Sequence, residues 1–203
     1  MKKIDLKFKT TTNRLVLRPY LDGDEKDFYS MIINDNREHL DELLGSIAQA
    51  ESEKKIKESI ISLSNDWEEN TRYVLSYWDK RANTYYGHIW IEPVDSSISN
   101  YEIGWFIDKH FQGQGYVTEA AKGALKFLFM DLKANKVIVR VRDHGLYKNK
   151  SIAIATRCGF KVEGFLRKSV QVFTSKGPGP IVGEHYYGLL REEYLNSEEM
   201  KDR

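Results

Sequence analysis

Between His110 and Leu132 the chain reads HFQGQGYVTEAAKGALKFLFMDL, which places two glycines two residues apart at the mouth of an amphipathic segment. Val117, Ala120, Ala121, Ala124, Leu125 and Leu128 recur there at helical spacing. The preceding text, EIGWFI, is a strand pattern, so the chain runs strand, glycine turn, helix. Gly113 and Gly115 permit positive φ and let a ligand approach the backbone closely. Successive amides in such a turn form an anion nest, and the helix behind adds roughly half a positive charge at its N-terminus. The guest this favours is a phosphate or pyrophosphate. A nucleotide-triphosphate loop needs Gly-Lys-Ser/Thr, but Tyr116 and Val117 follow Gly115. A dinucleotide fingerprint needs a third glycine where Thr118 stands, and a parallel sheet from the start of the chain. The remaining phosphate-binding pattern is a Q/R-x-x-G-x-G/A loop, matched by Gln112 and Gly115, with Val117 at its last position. A glycine turn that merely starts a helix is the competing interpretation.

The surrounding text sets the fold class. Residues 14–19 alternate as a strand, and a helix follows Asp24, with Phe28, Met31 and Ile32 on one face. Residues 36–64 are helical, divided near Gly45. Strands are expected at 73–78, 86–93 and 101–107, joined by the turns DKRANT and DSSISN as an antiparallel meander. After the glycine turn and its helix come a strand at 136–142, a short helix at 151–157 capped by Gly159, and strands near 161–173 and 184–190 flanking a turn-rich SKGPGP. The pattern predicts an α+β chain with a mixed sheet in a single domain over 1–203. A hydrophobic share of 41% against 30% charged residues supports a folded core. The formal charge of +1 argues against a nucleic-acid partner, and no stretch is apolar enough to span a membrane. Cys158 is the single cysteine, so no internal disulfide can form, no zinc spacing exists and no metal is expected. A reducing, cytoplasmic setting fits this.

With these segments in place, the chain resembles the GNAT acetyltransferases, and within them the RimJ/RimL type that acetylates ribosomal-protein N-termini. YEIGWFIDKHFQGQGYVTEAAKGALKFLF, CGFKVEGFLRKS, NRLVLRPY, NDNREHL and HYYGLLREEY carry the resemblance, in order along nearly the whole chain. It implies a strongly twisted sheet of about seven strands with about four helices, splayed between its fourth and fifth strands to receive pantetheine. It also implies acetyl-CoA as donor and direct transfer to an amine. By position, the amides of Gln112, Gly113, Gln114, Gly115, Tyr116, Val117 and Thr118 would hold the pyrophosphate, and the backbone of Phe106 and Ile107 would pair with pantetheine. Two departures stand out. Asn149 lies only two residues before Ser151, where the branch has Asn-x-x-Ser, and Ala155 occupies the place of a tyrosine used as acid by many relatives.

A nucleophilic amine must be neutral. An α-amine near pKa 7.7–8 satisfies this at about pH 7.5, whereas a lysine near 10.4 costs about 4 kcal/mol, so an N-terminal acceptor needs only a weak base. Glu102 shares a strand face with Phe106 and is the first candidate base, the alternative being a salt-bridged strand carboxylate. Glu184 and His185 are weaker candidates. Ser151 is the candidate proton donor to the departing thiolate, with Asn149 beside it and the Ile107 amide as oxyanion donor. His88 is expected to be a packed strand residue, His110 and His144 loop surface, and Cys158 a buried thiol. The leading function is acetylation of a protein or peptide N-terminus, by a monomer or homodimer. A small-amine acetyltransferase and a non-catalytic acyl-CoA-binding module are the alternatives.

Overall fold

A computed structural model describes residues 4–197. The strands are β1 (Thr10–Thr11), β2 (Leu15–Arg18), β3 (Tyr73–Asp79), β4 (Tyr85–Asp95), β5 (Asn100–Ile107), β6 (Lys136–Arg142), β7 (Lys161–Thr174) and β8 (Gly177–Leu190). The helices are α1 (Glu25–Ile33), α2 (Arg37–Leu44), α3 (Glu53–Glu69), α4 (Tyr116–Lys126), α5 (Lys148–Arg157) and α6 (Arg191–Leu195). One mixed sheet runs in the order β1-β2-β3-β4-β5-β6-β8-β7. Every neighbouring pair is antiparallel except β5–β6, which is parallel and therefore needs the crossover through α4. The α+β class and mixed sheet stand as expected, with one strand more, the two-residue β1, and two helices more.

Alternation along each strand sends side chains into two layers. Ile103, Trp105, Val137 and Val139 join Ala120, Ala124 and Leu128 beneath α4. Phe106, Trp78 and Tyr85 join Phe28, Leu40, Ile56 and Ile60 from α1, α2 and α3 on the other face. A run of aromatics closes one end, where Trp67 stacks on Phe127 and donates from Nε1 to Ile4 O at 2.9 Å.

The division at Gly45 is real, with φ +51° there, and α3 continues to Glu69 rather than ending near 64. SKGPGP departs from expectation. Only Ser175 and Lys176 form the turn, and Pro178 and Pro180 lie within β8. β8 gains its second neighbour, β6, only from Glu184 onward, so these prolines sit where a missing donor is tolerated. α5 begins three residues early, so Ser151 lies in its first turn with its amide on Tyr147 O at 2.9 Å and does not cap the helix. The two outer strands are β1 and the bulged β7, whose register against β8 shifts three times. Among the described residues no helix is long and apolar enough to cross a membrane.

Candidate active site

The parallel pairing of β5 with β6 covers only residues 100–102 against 136–138. Beyond it β5 continues along β4 as far as Ile107 opposite Gly87, while β6 continues along β8 as far as Arg142 opposite Glu184. The two strands therefore part after Glu102 and leave a split on whose β5 edge the backbone loses its neighbour. Asp108 N–H donates to Tyr86 O at 2.8 Å and Phe106 O accepts from Tyr77 Oη at 2.6 Å, both on the β4 side. By alternation, Ile107 turns its amide and carbonyl into the split. Of the two residues expected to offer backbone there, Ile107 does so and Phe106 is engaged with β3 and β4.

The glycine turn sits at the open end of the split. Gly113 and Gly115 have φ of +77° and +80°, the left-handed region their type was expected to occupy. Among the described residues the amides of the six positions 113–118 have no hydrogen-bond partner, and the first intrahelical bond is Glu119 N–H to Gly115 O at 3.1 Å. A Cβ at Gly113 would meet nothing within 4 Å, so the turn is uncrowded there. Six bare donors at the positive end of α4 fit a diphosphate. The turn is held from behind. Arg14 donates from Nη1 to Gln114 O at 3.1 Å, lies 4.2 Å over the Tyr116 ring, and pairs through Nε with Glu119 at 2.7 Å. Glu119 also accepts from Thr12 Oγ1 at 2.5 Å and Arg14 N at 2.7 Å. Burial pushes its carboxyl up, but these bonds outweigh that and hold it below the ordinary value. The one acid in the first turn of α4 is thus committed to Thr12 and Arg14.

Helix α2 lies across the split. His39 Nε2 is 2.9 Å from Ile107 O and 3.2 Å from Gln112 Nε2. Burial holds the His39 imidazole below its ordinary pKa, so it is neutral near pH 7, and the proton on Nε2 is the one Ile107 O receives. On the far bank, Arg142 Nη1 donates to Glu42 O at 3.3 Å, and Asp41 accepts from Ser175 N and Oγ, each at 3.1 Å. Buried Asn36 fixes the near bank, donating to Asp108 Oδ1 and accepting from Lys109 N, both at 2.9 Å. Lys150 Nζ reaches Gln112 Oε1 at 3.0 Å from α5. Neither His39 nor Asn36 stands out in the sequence. NDNREHL marks a helix start there, but its contacts with β5 and the two residues after it span about seventy positions of chain. Asp41→Ala is expected to cost about 1 kcal/mol, read as a small fall in urea midpoint with faster hydrogen exchange at Ser175. Unchanged exchange there would show that the hairpin tip does not depend on α2.

Glu102 occupies the foot of the split on the same sheet face as Phe106, as alternation requires. It is not free. Arg140 Nε lies 2.9 Å from both of its carboxylate oxygens and Nη2 lies 2.6 Å from Oε2. The Glu102 side chain is 15% exposed and that of Arg140 41%. Trp90 lies over Gly104 between Glu102 and Phe106, and its ring fills the place a Cβ would take, 1.8 Å away. Glu184, opposite Arg142, is buried with Ser169 Oγ at 3.5 Å, and His185 faces Phe165 with Nε2 3.6 Å from Asp143. Asn149 is exposed, and Ser151 is half-buried on α5. His88 is packed, its Nδ1 2.8 Å from Tyr20 Oη. His110 contacts Asp108 at 2.7 Å, His144 approaches Glu42 at 3.6 Å, and Cys158 is buried with Sγ 3.9 Å from Thr118 O.

A mixed sheet splayed beside a parallel pair, with a nest of bare amides at the mouth of the opening, defines an acyl-CoA-type transferase. The model of the acetyltransferase (GNAT) domain matches residues 14–161, and the chain belongs to that family. Its sequence is 30% identical over 94 residues to the uncharacterized N-acetyltransferase YnaD of Bacillus subtilis, which is 46% of this chain and 51% of that protein. The match thus spans about half the length of such curated relatives. The fold is shared with RimJ of Mycobacterium smegmatis in complex with a CoA disulfide, at TM-score 0.77 and 17% identity over 90% of this chain and 85% of that one. It is shared as well with the ribosomal-protein-S5-alanine acetyltransferase of Vibrio fischeri, at 0.76 and 14% over 93% and 99%.

Proposed function

We propose that the chain transfers the acetyl group of acetyl-CoA to a primary amine, and that this amine is the α-amine of a protein or peptide N-terminus. The observation that carries the transfer is the run of six unpartnered amides at 113–118, opening onto a split that ends at Glu102. The N-terminal acceptor is supported by the shared fold of the S5-alanine enzyme and by the modest basicity such an amine demands.

Acetyl-CoA supplies the acyl group as a thioester. The amides of 113–118 and the end of α4 hold its diphosphate, with Gln112 lining the turn. The Ile107 amide on the split edge is placed to donate to the acyl oxygen as charge develops there. His39 keeps the neighbouring Ile107 carbonyl occupied. Glu102 takes the proton that the amine releases as its nitrogen bonds to the acyl carbon. The carbon–sulfur bond breaks, and Ser151 relays a proton to the sulfur, taking one from solvent water as it gives its own, while Glu102 releases the amine's proton to solvent. The carboxylate keeps acceptor capacity beyond its three contacts with Arg140, since each oxygen carries two lone pairs.

Calorimetric titration with acetyl-CoA, followed by thiol release in a pool of peptides with free N-termini, tests this. Binding with release supports it. Binding without release from any amine would favour a CoA-binding module, and absence of binding would refute the assignment of the turn. Glu102→Gln is expected to lower kcat/KM about tenfold to a hundredfold near pH 7. Full turnover from pH 6 to 9 in that variant would remove Glu102 as the base.

A further inference from the structure

The Glu102–Arg140 pair is more than a tie between two strands. Arg140 spends Nε and Nη2 on Glu102, and Tyr186, opposite it on β8, takes one further N–H, which leaves part of the five-donor fork unspent. Its guanidinium is 41% exposed at the foot of the split, on the face where α2 and Trp90 form the walls. A carboxylate with spare lone pairs and a cationic fork with two spare N–H groups thus lie in contact and both reach solvent. Such a pair matches a ligand carrying an amine and an oxygen acceptor three bonds apart. Every α-amine of a peptide has that arrangement, because the carbonyl of its own residue adjoins the α-carbon. A lysine side chain, a polyamine or a simple alkylamine lacks it.

We propose that Arg140 determines acceptor specificity, donating a spare N–H to the carbonyl oxygen beside the α-amine while Glu102 receives the amine. This rests on the acetyl-transfer reading above and names the feature of the acceptor that the site reads. An unmet donor left facing an amine without that carbonyl penalises the wrong acceptor, as hydrogen-bonding sites do. A planar fork is required, so lysine does not replace it.

The test compares kcat/KM for a short peptide with an N-terminal alanine and for 2-aminopropane, which keeps the skeleton and omits the carbonyl. Both are measured by thiol release from acetyl-CoA, in the wild type and in Arg140→Met and Arg140→Lys. Their different amine pKa values cancel when the peptide-to-alkylamine ratio is compared between enzymes. The expected result is a ratio that favours the peptide in the wild type and shrinks about tenfold to a hundredfold in both variants. Arg140→Lys keeps the charge, and circular dichroism with thermal melting confirms that each variant folds. An equal loss for both acceptors would reduce Arg140 to a strand tie and overturn the proposal while leaving acetyl transfer intact. A wild-type ratio that does not favour the peptide would overturn it in the same way. Wild-type binding of acetyl-CoA without release to any amine would instead overturn the reading underneath.

Discussion

Gly115→Val is expected to weaken CoA binding more than a hundredfold while the chain still folds. Gly115 holds φ +80°, where a β-branched residue is a steric outlier that costs about 1–3 kcal/mol. The position is otherwise roomy, because a Cβ there would meet only Arg14 Nη2 at 3.6 Å. The penalty thus falls on the turn and not on the core. To relieve it the backbone must leave the left-handed region, and doing so rotates the Gly115 and Tyr116 amides out of the row of donors. Isothermal titration with CoA measures the affinity, and a urea transition confirms folding. Gly115→Ala should fall between the two, having the same φ cost in milder form. Wild-type affinity in Gly115→Val would end the diphosphate assignment.

The second large effect concerns acid stability. His88 is buried against Phe106 and Phe28, with Nδ1 on Tyr20 Oη, which itself lies 2.5 Å from Tyr85 Oη. Burial, reinforced by the charge of Arg72, pushes its pKa down to about 3. An unfolded histidine titrates near 6.5, so between about pH 6.5 and 3 the unfolded chain binds a proton that the native state refuses. Stability conferred by the neutral ring is complete above pH 6.5 and drains away as the pH falls, at up to about 1.4 kcal/mol per unit. From pH 7 to 4 this single site accounts for about 3 kcal/mol. His88→Gln keeps a polar partner for Tyr20 and does not titrate. Its stability should be lower than wild type at pH 7 but decline less on acidification, so the two urea-derived curves converge toward pH 4. Parallel curves would show that His88 is protonated without penalty.

Local rules made part of this legible. Gly113 and Gly115 announced their backbone conformation by type, and the period of two along 101–107 put Glu102 on the face of Phe106. The position of Gly45 marked the break between α2 and α3. What stayed hidden depends on strand neighbours and packing between distant segments. Nothing in KVIVRVR says that Arg140 will lie beside Glu102, because that needs the β5–β6 register. His39 acts through a contact with β5, and Asn36 through the two residues that follow it, across about seventy residues of chain. GPGP reads as a loop from composition, and only the missing second neighbour of early β8 makes it a strand. Ser151 could be placed near the short helix, but its exact turn depended on three residues of KNK that carry no strong cap signal.

An open eight-stranded sheet leaves two edges, and each is a template to which a further strand, from another copy or a misfolded chain, could add. Here one edge is β1, two residues long, too short to offer a ladder. The other is β7, fourteen residues long and carrying exposed Val162, Phe165 and Leu166, which is the composition that invites aggregation. Its bulges break the row of donors and acceptors at 162–164, 166–170 and 171–173, and Lys168 at φ +47° turns the strand further out of line. Lys161, Arg167 and Lys168 place like charges along the same edge. The irregularities that look like poor pairing within the sheet are thus what keeps the sheet from growing.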